Sequence, residues 1–211
     1  MKEKFPRVAV FISGRGTNMT ALLKAEKNGK LPGKIVLIVS NNPDAKGLKI
    51  AEEYGKETVI VDHRKFNSRR DHEVEIYNRY LSPKQITHVI LAGYMRVITN
   101  YLIEKFRYRM INIHPSLLPC FKGLHAQKQA LDYGVKITGC TVHFVSENVD
   151  GGPIIVQKAV PVYDTDNEET LSQRILEKEH EAIVEAAQIM LSNNFEVIND
   201  RIVRITSHSN S

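Results

Sequence analysis

Five short apolar runs punctuate the first half of the chain: Val8–Ile12, Ile35–Ser40, Thr58–Val61, His88–Leu91 and Met110–Ile113. They are rich in Val and Ile and continuous rather than alternating, which predicts parallel strands covered on both faces. Helical patterns separate them. One is predicted over Asn18–Asn28, from a Thr/Asn cap to Gly29, and another over Ala45–Tyr54, ending at Gly55. A third, Ser68–Leu81, has a serine cap and stops before Ser82-Pro83.

After Pro115 the pattern changes. A short helix is predicted over Gln127–Tyr133. Thr138–Val145 alternates and Ile154–Val160 is a further strand, so antiparallel or mixed strands are expected there. Glu168–Leu191 reads as a long helix, with Leu171, Ile175, Ala182, Ile183, Ala186 and Ile189 on one face. Phe195–Ile198 and Arg201–Ile205 form a hairpin across Asn199-Asp200. The expected fold class is α/β: a doubly wound, mostly parallel, Rossmann-like sheet with antiparallel or mixed strands added in the C-terminal third. A single domain is expected over residues 1–205. Its part up to about residue 113 would bind a phosphate, and residues 114–205 would complete the site. Residues 206–211 are expected to be a disordered tail.

Composition narrows this picture only slightly. The chain has 211 residues, 42% of them hydrophobic, enough for a sizeable core. No run approaches the ~20 apolar residues of a membrane span, and the short first apolar run does not resemble a secretory leader. A cytoplasmic location is expected. Two cysteines, Cys120 and Cys140, with no zinc spacing, argue against a disulfide framework and a structural metal. The formal charge of +5 is scattered, without a basic stripe, and fits an anionic small substrate as well as nucleic acid.

Two stretches carry candidate chemistry. Gly14-Arg15-Gly16-Thr17-Asn18 lies between the first strand and the first helix, where an open sheet offers N–H groups to a phosphate. It lacks the Gly-Lys-Ser/Thr of a Walker loop, and Met19 stands where a dinucleotide loop needs its third glycine. What remains can grip one monophosphate through Gly16, Thr17 and Asn18, or be a plain capped turn. Further on, Asn112 and His114 sit two apart at a strand end, hence on one side, with Pro115 fixing the exit. Asp150, before Gly151-Gly152-Pro153, is a candidate partner that would favour the charged form of His114; it is equally a common turn aspartate.

Taken together, Asn112-Ile113-His114-Pro115-Ser116-Leu117-Leu118-Pro119 and Asp150-Gly151-Gly152-Pro153-Ile154 resemble the signature of the folate-dependent formyltransferases. The glycine loop and Phe121-Lys122-Gly123-Leu124-His125 point to the branch that formylates glycinamide ribonucleotide in purine biosynthesis. The resemblance runs from about Arg7 to about Leu191. It implies 10-formyltetrahydrofolate as co-substrate and no metal, with Asn112, His114 and Asp150 catalytic. It places Gly16, Thr17, Asn18 and Glu179 on the ribonucleotide. It places Arg69, Met95, Arg96, Val97, Ile98 and Asn112 on the folate, with the backbone of Ser146–Asp150 on its pterin. His125 and His143 are expected to be secondary or structural. Only small-molecule partners are implied, with no nucleic acid and no membrane, on a monomer or homodimer. The alternatives are a formyltetrahydrofolate hydrolase, whose relatives usually carry an extra N-terminal domain, and a methionyl-tRNA formyltransferase, whose relatives carry an extra C-terminal one. Neither extra domain is expected here.

Overall fold

The computed structural model describes residues 5–206; residues 207–211, most of the expected tail, lie outside that range. Five parallel strands come first: β1 (Arg7–Ile12), β2 (Lys34–Ser40), β3 (Glu57–Ile60), β4 (His88–Leu91) and β5 (Met110–His114). Then β6 (Ile137–Phe144) adds antiparallel to β5, and β7 (Ile154–Pro161) adds antiparallel to β6. A hairpin of β8 (Phe195–Ile198) and β9 (Ile202–Ile205) closes the sheet, β9 lying parallel to β7. The order is β3-β2-β1-β4-β5-β6-β7-β9-β8. The expected parallel core with mixed later strands is what forms.

Alternation along β1 splits its side chains between two cores. Val8, Val10 and Ile12 meet Met19, Leu22 and Leu23 of α1 (Thr17–Lys27) and the apolar face of α6 (Glu168–Ser192). Ala9 and Phe11 face the other way, toward Ile76 of α3 (Arg69–Ile76) and Leu102 and Ile103 of α4 (Asn100–Lys105). Phe11 is fully buried and meets Tyr94 edge-on, a contribution of roughly 2–3 kcal/mol from burial.

Several elements differ from expectation. The first helix has no Thr/Asn cap: its cap is Gly16 at φ +75, and Thr17 and Asn18 lie inside the helix. The second, α2 (Gly47–Glu53), starts two residues late. Gly47 packs against Gly16, so closely that a Cβ on Gly16 would stand 2.8 Å from the Gly47 Cα. Ser68 caps α3 as expected, accepting from the Asp71 N–H at 3.1 Å. The helix then widens into a π turn over Tyr77–Leu81, with the Ser82 N–H donating to Tyr77 O at 2.8 Å, and ends before Pro83, which has no N–H for another rung. A 3₁₀ turn at His63–Lys65 and the six-residue α4 were not expected; such short pieces carry too little periodicity. Helix α5 (Ala126–Tyr133) starts one residue earlier than read, and the hairpin forms with β9 starting at Ile202 instead of Arg201, so that three residues connect the strands, Asn199 and Asp200 both at positive φ.

Candidate active site

Strand order reverses between β1 and β4, since β1 leads to β2 and β3 on one side and β4 and β5 follow on the other. The crevice at the carboxyl ends of these strands is where an open α/β sheet takes ligands. The loop after β1 is Ser13–Gly16, the loop after β4 is Gly93–Thr99, and β5 ends at His114. Two strand spacings separate β1 from β5, about 10 Å.

On β5, Ile111 and Ile113 enter the α6 core, so Asn112 and His114 face the opposite side. Antiparallel register sets His143 across from Asn112 and Thr141 across from His114. All four polar side chains therefore share one face of the sheet. Asp150 arrives from the β6–β7 connection at φ +49 and lies between the two histidines. Its Oδ2 is 3.3 Å from His114 Nδ1 and its Oδ1 is 3.7 Å from His143 Nε2. It also accepts from the Gly123 N–H at 2.9 Å. Burial alone would raise the Asp150 carboxyl, but His143, the Gly123 N–H and the His114 charge outweigh it and hold the group below the ordinary carboxylate value.

The other His114 nitrogen, Nε2, lies 2.8 Å from the Phe121 carbonyl. An imidazole set between a carboxylate and a carbonyl faces an acceptor at each nitrogen. His143 is held differently. Its Nδ1 donates to its neighbour's carbonyl, Phe144 O, at 2.9 Å, and its Nε2 faces both Asn112 Nδ2 at 3.3 Å and Asp150 Oδ1 at 3.7 Å. The Asn112 amide keeps a hydrogen free for a ligand.

The turn after His114 is bolted from below. Thr141 Oγ1 donates to Ser116 O at 2.7 Å and accepts from the Leu118 N–H and from Gln157 Nε2, each at 3.0 Å. Gln157 Nε2 also donates to Leu118 O at 3.0 Å. Pro115 and this buried network together fix the exit from β5.

The substrate residues named from sequence come together across 161 positions: Asn18 Nδ2 donates to Glu179 Oε2 at 2.9 Å. Both are buried, and burial raises the Glu179 carboxyl against the opposing pull of Asn18 and the Arg15 charge. The Asn18 Oδ1 has no protein partner. Among the residues assigned to folate, Arg69 is the exposed first residue of α3, and Met95 and Val97 are exposed on the loop after β4. Ile98 differs: its side chain is in the core, so only its backbone is left for a ligand. His125 is exposed. His143, ranked secondary from sequence, is buried within the cluster; its place depends on a strand register that no local pattern carries. Among the described residues, no group of three His, Cys, Asp or Glu side chains is set to hold a metal ion, and no helix is long and apolar enough to cross a membrane.

Similarity to known proteins covers most of the chain. The sequence profile described as "Formyl transferase" matches residues 6–187. The chain is 44% identical over 191 residues to the trifunctional purine biosynthetic protein adenosine-3 of Gallus gallus, covering 90% of this chain and 19% of that protein. It thus spans about a fifth of the length of that relative. It is 38% identical over 173 residues to the phosphoribosylglycinamide formyltransferase of Escherichia coli (strain K12), covering 82% of this chain and 81% of that one. Among solved structures, glycinamide ribonucleotide transformylase 1 from Symbiobacterium toebii superposes with a TM-score of 0.93 at 42% identity, covering 96% and 95% of the two chains. A formyltetrahydrofolate deformylase from Pseudomonas syringae superposes with a TM-score of 0.89 at 26% identity, covering 97% of this chain and 67% of that one.

Proposed function

The chain belongs to the formyl transferase family, and from that premise we propose that it transfers the formyl group of 10-formyltetrahydrofolate to the amine of glycinamide ribonucleotide, a cytoplasmic step of purine biosynthesis. The observation that carries this reading is the convergence of Asn112, His114 and Asp150 at the end of β5, about 10 Å by strand spacing from the glycine loop after β1. A phosphorylated sugar bearing a short amine arm spans such a gap. Gly16, Thr17 and Asn18 take the phosphate at the start of α1, and Glu179 the ribose or glycinamide end.

The amine nitrogen attacks the formyl carbon, and the carbonyl electron pair moves to oxygen. His114 Nε2 exchanges the Phe121 carbonyl for that oxygen, and the free Asn112 amide hydrogen donates beside it. Each such donor is typically worth ~3–4 kcal/mol of transition-state stabilisation. Collapse re-forms the carbonyl and breaks the bond from carbon to N10. The proton lost by the amine reaches N10 through His114 or through water held by Asp150, so no net proton is released. Holding amine and formyl carbon in contact supplies the remainder of the acceleration. The folate lies against the Gly93–Thr99 loop and Arg69, with its pterin on the Ser146–Asp150 backbone.

The deformylase similarity makes water the competing acceptor, and amine dependence separates the two. The purified protein is expected to consume 10-formyltetrahydrofolate only when glycinamide ribonucleotide is present. Equal consumption without it would replace the transferase reading with the hydrolytic one.

A further inference from the structure

Glu73 is a buried carboxylate outside the proposed catalytic cluster, 3% exposed, on the inner face of α3. Its two oxygens take both donors of one residue: the Thr99 N–H at 2.8 Å and the Thr99 hydroxyl at 2.5 Å. Thr99 is the N-cap of α4, and its side chain makes no cap bond of its own because the hydroxyl is turned to Glu73. Burial raises the Glu73 carboxyl, while Thr99 and the Arg96 charge pull the other way. A carboxylate buried with no ion-pair partner costs stability that a neutral cap would not, so this position invites a role beyond helix capping.

The other end of the same loop is also tied. The Ser13 N–H donates to Gly93 O at 3.1 Å, and Ser13 Oγ accepts the Met95 N–H at 2.8 Å while donating to Asn41 Oδ1 at 2.5 Å. Between these anchors Tyr94 and Ile98 point into the core, whereas Met95 and Val97 are 73% and 42% exposed. The loop thus holds two apolar side chains out to solvent. One turn before Glu73, α3 begins with Arg69, assigned to the same ligand.

We propose that Glu73 is a positioning residue for the formyl donor, fixing the Gly93–Thr99 loop to α3 so that Met95, Val97 and Arg69 form one pre-set folate surface. This rests on the transferase reading above and deepens it. Glu73 touches neither substrate; it acts through Thr99.

The test uses the whole chain with Glu73→Ala, Glu73→Gln and Thr99→Val. Glu73→Gln keeps the volume but offers one acceptor, and Thr99→Val removes the hydroxyl from the other side. It therefore carries the test should Glu73→Ala fail to fold. In the ligand-free protein, amide exchange over Met95–Thr99 is expected to quicken about tenfold in Glu73→Ala and less in the other two. In turnover, KM for 10-formyltetrahydrofolate is expected to rise about tenfold in Glu73→Ala, equivalent to about 1.4 kcal/mol. KM for glycinamide ribonucleotide should stay within twofold. A double variant of Glu73→Ala and Thr99→Val should lose less than the sum of the two. Unchanged loop exchange, or equal rises in both KM values, would overturn the assignment. Absence of turnover by the unaltered protein would refute the transferase reading instead, and the exchange measurement would still decide the tether.

Discussion

Replacing Asp150 by Asn probes the heart of the proposed mechanism while leaving its shape intact. The carboxylate is 3.3 Å from His114 and 3.7 Å from His143, and its side chain is 8% exposed. Two unit charges ~4 Å apart interact by about 4 kcal/mol at an effective dielectric of ~20. Solvent reaches little of this pair, so half or more of that interaction is expected to survive screening. Losing about 2–4 kcal/mol of interaction between the carboxylate and the positive charge carried by the His114 ring in the transition state corresponds to roughly 30- to 1,000-fold in kcat. The Asn oxygen still accepts from Gly123, and the carboxylate is turned to the histidines, so KM for both substrates should move less than threefold. Steady-state rates with each substrate varied in turn give kcat and both KM values. A kcat within threefold of the unaltered protein, or a loss carried wholly by KM, would refute the charge-support argument. The same variant has a stability signature. Folding depresses the Asp150 carboxyl, so its stabilisation is present above the ordinary carboxylate value and lost as pH falls through the lower folded value. Denaturation midpoints of the two proteins should therefore differ at neutral pH and converge in acid below about pH 4.

Glu179→Gln should act in the opposite sense on stability. Burial raises that carboxyl, so its charge opposes folding at neutral pH, and the amide should leave Tm unchanged or higher by a few degrees while KM for the ribonucleotide rises at least tenfold. That gain should vanish in acid, below the ordinary glutamate value of about 4.3; a lower Tm at pH 7 would contradict it. Thr141→Val strips the Leu118 N–H and Ser116 O of their partner, costing about 2–4 kcal/mol. Calorimetry should show Tm lower by roughly 5–12 °C, with Thr141→Ser restoring most of it. Gly152→Ala would place a Cβ 1.8 Å from the Phe144 carbonyl oxygen and should prevent folding, whereas Gly14→Ala meets nothing within 4 Å and should leave Tm unchanged; expression and circular dichroism distinguish them.

The strands and the long helix were legible because their signals are local. Continuous Val/Ile runs need no partner to declare a covered parallel strand, and Pro115 or Gly151-Gly152 constrain the backbone wherever they stand. The spacing of Asn112 and His114 likewise fixed their common side, and the distant Asp150 was identified by a motif rather than by any contact. What the chain could not disclose is register and packing. His143 joins the cluster because β6 runs antiparallel to β5 with Asn112 opposite it. Gly47 and Gly16 need each other because α2 starts against the glycine loop. Ile98 sits in the core while Met95 faces out, because the loop is tied at Ser13 and Thr99. Glu73 looks like any helix glutamate until α4 is placed over it. Pattern and turn chemistry act over a few residues and so are written along the chain. Which two distant side chains share a hydrogen bond is decided only when the sheet has twisted, paired and been covered by its helices.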